Sequence, residues 1–299
     1  MESRALVGGE KMKKSLSKKI FDVCNCVILI LFSISIIYPI LNQFALSFSS
    51  SSAILQENVT IWPKGFTLDT YDTLFRQDKF WLNYLNTIIY TTLGTIIGLV
   101  MTTLCSYALS KELVGGSTFM KLIVFTIFFG GGLIPNYALI SNLDMVDTIW
   151  ALIIPNAILP YHVLIMRTYF MGLPHELEEA AKLDGMGQFG YFMKIAIPLS
   201  KPIIATMILF IAVIYWNDWF AALIYINDAD MQPVTLYLRN LMMGAQTAAQ
   251  SGEIGSTIKT IPQCVQAASM IVVTLPVVCI YPFVQKHFVK GVMVGSVKG

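Results

Sequence analysis

Acidic side chains are sparse in this chain, and their grouping is informative. Asp and Glu together number 18 in 299 residues, yet Glu176, Glu178, Glu179 and Asp184 fall in one short stretch. No Ser, Thr or Cys nucleophile stands among them, so the chemistry on offer is charge recognition rather than acyl or phosphoryl transfer. A second candidate is Asp218, the one charged residue in the otherwise apolar run 202–227. Tyr215, Trp216, Asn217, Trp219 and Tyr225 surround it in sequence. An intramembrane carboxylate is costly and marks function by default. On a continuous helix Tyr215, Asp218, Ala222 and Tyr225 would share one face. Aromatic faces beside hydrogen-bonding edges suit a solute whose apolar ring face alternates with hydroxyls. The competing reading is that Asp218 holds a neighbouring helix and the tryptophans form an interfacial belt.

Other chemistries are absent. There is no Gly-x-x-x-x-Gly-Lys-Ser/Thr loop to hold nucleotide phosphates, no His-Glu-x-x-His and no nucleophile elbow. Cys24, Cys26, Cys105, Cys264 and Cys279 have no metal-ligand spacing and read as small core residues. His162, His175 and His287 form no set, and the sequon at Asn58-Val59-Thr60 is of a kind common by chance.

The elements that must position these residues are membrane helices. The chain is 56% hydrophobic and 13% charged, against about a quarter charged for soluble domains. Runs 23–56, 80–110, 122–143, 148–166 and 260–285 carry no Asp, Glu, Lys or Arg, and 202–227 carries only Asp218. About 20 apolar residues are needed to cross the hydrocarbon core as a helix. We therefore expect an all-α protein with six spans, at about 23–47, 84–110, 122–140, 148–167, 202–226 and 262–285. They make one domain over 20–286, between a basic tail at 1–19 and a second tail at 287–299. Of 20 Lys and Arg residues, 15 fall in the tails and the second and fourth loops; Lys64, Arg76, Lys79, Arg239 and Lys259 fall opposite. The excess predicts that both termini are cytoplasmic. The tail is too polar and the first run too long for a cleaved signal peptide. Pro39 is expected to kink span one, and a turn is expected at Trp62-Pro63-Lys64-Gly65. Gly130-Gly131-Gly132 either lets backbones approach or breaks span three. Residues 227–262 read as a long outer loop without obvious structure.

The inner loop between spans four and five reads Pro174-His175-Glu176-Leu177-Glu178-Glu179-Ala180-Ala181-Lys182-Leu183-Asp184-Gly185 and closes on Ile195-Ala196-Ile197-Pro198. Pro174 suits a first helical position, the glutamates suit a helix N-terminus, Glu178 and Lys182 pair at i,i+4, and Gly185 suits a helix stop. Leu177, Ala180, Ala181 and Asp184 recur at helical spacing. A short helix with a small-residue face and an acidic edge fits a groove on another protein.

This stretch resembles the EAA loop of binding-protein-dependent ABC importer permeases: Glu-Ala-Ala, Asp-Gly, nine residues, then Ile-x-Leu-Pro, with Ile197 in place of Leu. Asn86-Thr87, Ser106-Tyr107-Ala108-Leu109-Ser110-Lys111, Trp216-Asn217-Asp218-Trp219, Pro233-Val234-Thr235-Leu236 and the ending Phe288 to Gly299 resemble the carbohydrate branch, in its smaller maltose-type permease. Trp62-Pro63-Lys64-Gly65-Phe66-Thr67-Leu68 and Gly131-Gly132-Leu133-Ile134-Pro135 are similar to the LplC- or YtcP-like subgroup, associated with complex oligosaccharides. The resemblance implies a cell-membrane permease that is not itself an enzyme. Its partners would be a second homologous permease, two ATP-binding ABC subunits, an extracytoplasmic sugar-binding lipoprotein and membrane lipid, with no nucleic acid. It would hold no cofactor, ATP and Mg lying on the ATPase. Glu176, Glu179, Ala180, Ala181, Leu183, Asp184 and Gly185 would dock in an ATPase cleft, Glu179 against a basic residue. Tyr215, Trp216, Asn217, Asp218, Trp219 and Tyr225 would line the solute path. The outer loop would reach into the binding protein. The alternative is a secondary transporter or channel for a small polar solute, which would need more buried ion sites than Asp218 alone.

Overall fold

The computed structural model describes residues 16–56, 59–111, 113–250 and 261–295. Every regular element among them is helical. Contacts divide the chain into 1–67 and 68–299.

The first unit is built on α1, Leu16–Ser47, which continues as one helix through Pro39. It also reaches back into what the sequence marks as a polar tail. Its apolar side chains, Ile28, Leu31 and Phe32 among them, are exposed around the circumference, as suits a surface bathed in lipid. Past its end the chain knots. Asn42 Nδ2 donates to the Thr60 carbonyl at 2.7 Å, the Ser49 hydroxyl accepts the Lys64 N–H at 3.0 Å, and Phe48 stacks on Phe66 at 5.7 Å. A short helix α2, Ser51–Leu55, is capped by the Ser50 hydroxyl. The turn expected at 62–65 lies inside this knot, with Gly65 at φ +60°.

The second unit opens with α3, Asp69–Phe75, and α4, Asp78–Ser110. The inward face of α4 carries Asn83, Thr87, Gly94, Thr95, Gly98, Thr102 and Ser106, while Leu85, Ile96, Val100 and Leu104 point out. This inverts the soluble pattern. In lipid, apolar side chains gain nothing by turning inward, and small residues let backbones close up. The close-up is real at Gly94, where an added Cβ would lie 2.6 Å from the Tyr215 ring.

Three of the remaining candidate spans are broken. Helices α5, Gly116–Phe128, and α6, Leu133–Asn142, meet at 116°. The glycine run is therefore a break: Gly132 has φ +83°, and nothing lies within 4 Å of a Cβ built on Gly130. Helix α7, Trp150–Ile153, with its 3-10 extension Ile154–Asn156, meets α8, Pro160–Met171, at 46°. After α9, His175–Leu183, come α10, Gln188–Tyr191, a π turn at Phe192–Ala196 and α11, Ile197–Leu199. This segment bends by 80° into α12, Lys201–Asn217. The expected span five over 202–226 is not one helix. It stops at Asn217 and resumes as α13, Phe220–Tyr225.

The outer loop is corrected too. Residues Val234–Gln250 form a helix, α14, whose Val234, Leu238, Leu241 and Ala245 recur at helical spacing against α3 and α4; 251–260 lie outside the described residues. Helix α15, Pro262–Gly295, runs on through part of the expected C-terminal tail. Among the described residues, three helices are long and apolar enough to cross a membrane by themselves, and up to six segments qualify if each bent pair counts as one. Cys24, Cys26 and Cys279 are exposed rather than core residues, and Cys264 is buried.

Candidate functional site

The acidic stretch folds as the sequence predicts, into helix α9. Pro174 stands just before the first helical residue, and its carbonyl accepts the Leu177 N–H at 3.3 Å. Glu176 and Glu178 lie in the first turn and Lys182 in the last, which complements the helix dipole. The stop at Gly185 is a Schellman motif. Met186 N–H bonds the Ala181 carbonyl at 2.9 Å, Gly185 N–H bonds the Lys182 carbonyl at 3.0 Å, and Gly185 takes φ +75°.

The two sides of α9 have different tasks. Ala181 is buried in a core with Met166, Phe170, Tyr191, Phe192 and Ala196, so it fixes the helix to the bundle. Glu176, Glu179, Ala180, Leu183, Asp184 and Gly185 are exposed. Ala180 and Ala181, placed on one face by their spacing, thus separate: one faces solvent and the other the core. Leu183 on α9 is 89% exposed, and Phe189 on α10 is 73% exposed.

Adjacent glutamates also diverge. Glu179 makes no ion pair among the described residues. Glu178 turns inward, its side chain 13% exposed. It accepts Lys111 Nζ at 2.5 Å, Gln188 Nε2 at 3.0 Å and Lys182 Nζ at 3.1 Å. Lys111 lies 4.8 Å from the Tyr107 ring centroid and 5.2 Å from that of Tyr191. Burial by itself would raise the Glu178 carboxyl, but the hydrogen bonds from Lys111, Gln188 and Lys182 outweigh it and hold the group at about 2. An open cavity of about 700 Å³ runs alongside, lined by Tyr107, Lys111, Phe170, Glu178, Gln188 and Tyr191. Sequence spacing reveals the Glu178–Lys182 pair; the Lys111 partner comes from a distant helix and leaves no local signal.

The second residue group is not presented as one surface. Tyr215 is buried, and its hydroxyl donates to the Ile153 carbonyl at 3.0 Å. At this carbonyl the α-helical ladder gives way to the 3-10 turn, the Ala157 N–H bonding Ile154 rather than Ile153. Trp216 donates from Nε1 to the Val273 carbonyl at 2.9 Å, and Tyr225 stacks on Tyr137 at 6.0 Å. Asp218 sits in the gap between α12 and α13, where its carboxylate accepts the Ala221 N–H at 3.0 Å in the manner of a helix cap. Asn217 is exposed and bonds back to the Val213 carbonyl, and Trp219 is exposed beneath the Arg239 guanidinium at 4.4 Å.

One acidic residue escapes the sequence reading. Asp147, at φ +57°, accepts the N–H of Asn227 at 2.5 Å, Asn227 Nδ2 at 3.0 Å and the N–H of Asp228 at 3.1 Å. The Asn227 side chain and the two backbone donors hold its carboxyl below its usual range. This ties the α6–α7 turn to the segment after α13. Nearby, Lys79 pairs with Asp230 at 2.8 Å, and Asn86 Nδ2 donates to the Asp230 carbonyl at 2.7 Å. Among the described residues no group of His, Cys, Asp and Glu could hold a metal ion.

Residues 5–294 match the family described as binding-protein-dependent transport system inner membrane component. The chain belongs to this family. Protein LplC of Bacillus subtilis is 40% identical over 289 residues, covering 96% of this chain and 98% of that protein. The polygalacturonan/rhamnogalacturonan transport system permease protein YtcP of the same organism is 36% identical over 286 residues, covering 95% and 100%. Among solved structures, a bacterial ABC transporter involved in import of the acidic polysaccharide alginate has a chain that matches with TM-score 0.82. That chain is 30% identical, with 92% of this chain and 99% of that chain covered.

Proposed function

We propose that this permease is one of two membrane subunits of an importer for a carbohydrate, an oligosaccharide, driven by ATP hydrolysed on separate subunits. The observation that carries the coupling assignment is α9 itself. It is a helix fixed to the bundle by Ala181 and a Schellman stop, offering Glu179, Ala180 and Leu183 outward. A cleft on an ATP-binding subunit with a basic wall is the complementary surface. Six spans with both termini cytoplasmic place α9 on the cytoplasmic face, in keeping with the Lys and Arg excess in the segments assigned there. Two ATP-binding subunits, a second homologous permease and an extracytoplasmic sugar-binding lipoprotein complete the assembly. ATP-driven closure pushes on α9 and shifts the bundle from inward-open to outward-open. The breaks in three candidate spans supply elements that can move separately. Trp219, Asn217 and the Asp218 carboxylate are the members of the aromatic group with side-chain surface left for a solute. Helix α14 stands where a docked binding protein would meet the outer face.

The test is Glu179→Lys in the reconstituted transporter. Losing a desolvated charge pair costs about 2–5 kcal/mol, and reversal costs no less. The ATPase should no longer co-purify and uptake should fall at least tenfold, while insertion stays normal. Undiminished ATPase association would sink the docking assignment. Substrate is tested separately, by binding oligosaccharides to the cognate binding protein. Galacturonan and alginate oligomers come first, because relatives named above handle those polymers, followed by arabino-oligosaccharides, which a 28% identical permease of Halalkalibacterium halodurans transports.

A further inference from the structure

Helix α4 differs from most of its neighbours in being unbroken. It runs 33 residues, Asp78–Ser110, about 50 Å at 1.5 Å per residue, whereas α5–α6, α7–α8 and α10–α12 all bend sharply. Both of its ends are fastened. At one end Lys111, the first residue past the helix, holds Glu178 of α9 at 2.5 Å, and Arg167 of α8 donates to the Leu109 carbonyl at 2.7 Å. At the other end Asn86 donates to the carbonyls of Asp230 and Gln232, at 2.7 and 3.2 Å, and the Thr87 hydroxyl accepts the Val234 N–H at 2.7 Å. Tyr90 adds a bond to the Met231 carbonyl at 2.7 Å. The segment so gripped leads directly into α14.

The fastening at the α9 end is built for a fixed direction. The Lys111 ammonium lies between two aromatic rings, Tyr107 on α4 and Tyr191 on α10. Gln188, which begins α10, donates to the second Glu178 oxygen and faces the Tyr107 hydroxyl at 3.4 Å. With both carboxylate oxygens bonded, Glu178 cannot swing without breaking several contacts together. Partly desolvated charged hydrogen bonds of this kind are the strong ones.

We propose that Glu178 and Lys111 form the joint through which α9 drives α4, and that α4 acts as a rigid rod carrying the displacement to residues 230–234 and so to α14. Glu178 is then a positioning residue: Glu179 meets the partner, and Glu178 passes the push onward. This rests on α9 being the ATPase-docking helix.

The test separates joint from docking. Amide exchange across 175–183 in the purified permease reads the joint without any partner. Lys111→Met and Glu178→Gln should each raise it about tenfold, the factor for losing charged hydrogen bonds, and Lys111→Arg should change it little. Transmission is read in the assembled transporter in nanodiscs, with Ala229→Cys in a background whose native cysteines are replaced. In the otherwise unaltered protein, trapping with ATP and vanadate should change the rate of labelling by an impermeant maleimide. In Lys111→Met or Glu178→Gln that change should shrink at least fivefold while the ATPase stays bound, and the double variant should be no worse than either. Unchanged exchange, a full labelling response in the single variants, or losses that multiply in the double variant would each overturn the proposal. Failure of the unaltered protein to bind any ATPase would instead count against the docking assignment, and the exchange measurement would still decide the joint.

Discussion

Two neighbouring glutamates show how much one residue step matters on a helix. Successive side chains turn by about 100°, so Glu178 and Glu179 cannot face the same surroundings. Glu178 finds Lys111, Gln188 and Lys182; Glu179 is left to solvent. The consequence is a pH signature. The Glu178 carboxyl falls from an ordinary 4.5 to about 2 in the folded protein. A depressed carboxyl stabilises the folded state fully above its unfolded value and loses that contribution as pH drops through the folded one. Glu178→Gln should therefore lower the thermal midpoint at neutral pH, by the equivalent of about 1.5–3 kcal/mol. The gap to the unaltered protein should close between pH 4.5 and about 2. A gap independent of pH would mean that the charge of Glu178 contributes nothing. Asp218 teaches the converse lesson. A lone carboxylate in an apolar run invites a functional role, yet its first structural task is to cap the helix that restarts at Phe220.

At the scale of elements, what matters is where helices stop. Helix α9 ends because Gly185 enters the left-handed region, where an L side chain costs about 1–2 kcal/mol. Nothing lies within 4 Å of a Cβ built there, so the cost of Gly185→Ala is conformational alone. The variant should fold, and the last turn of α9 should exchange amide protons several-fold faster. Exchange as slow as in the parent would show that the stop does not depend on glycine. Helix α14 was legible in principle, since Val234, Leu238, Leu241 and Ala245 follow a helical period. A stretch rich in Gly, Gln, Ala and Thr after residue 243 masks that period. The breaks at Gly132, near Pro155 and Pro160, and at Asn217 are harder to place. A glycine or proline permits a break, but the packing partner that takes up the freed backbone decides whether it occurs. Tyr215, donating to the Ile153 carbonyl where α7 gives way to its 3-10 extension, is a contact at one such site.

At the scale of the whole molecule, topology and helix packing carry the predictions. Cysteines replacing Trp62 should react with impermeant reagents in intact cells, and those replacing Phe189 only with permeant ones; both positions are exposed. The opposite pattern would invert the proposed orientation. Gly94→Ala should destabilise the bundle by about 1–3 kcal/mol, because its Cβ would fall 2.6 Å from the Tyr215 ring. Combining it with Tyr215→Ala should recover part of that loss, and additive losses would show that the two helices do not meet there. The sequence by itself determined the class of molecule, the apolar segments, the short acidic helix with its glycine stop, and the family resemblance that the comparisons bear out. Those properties are local: hydropathy, charge and helix ends are written within a turn or two of the residues concerned. Only the tertiary structure decided that Glu178 belongs to Lys111 and that Asp147 belongs to Asn227 and Asp228. It also decided that Tyr215, Trp216 and Tyr225 spend their polar or aromatic capacity inside the chain. Those partners lie tens of residues apart, and hydrogen bonds between distant helices leave no periodic trace in the chain that makes them.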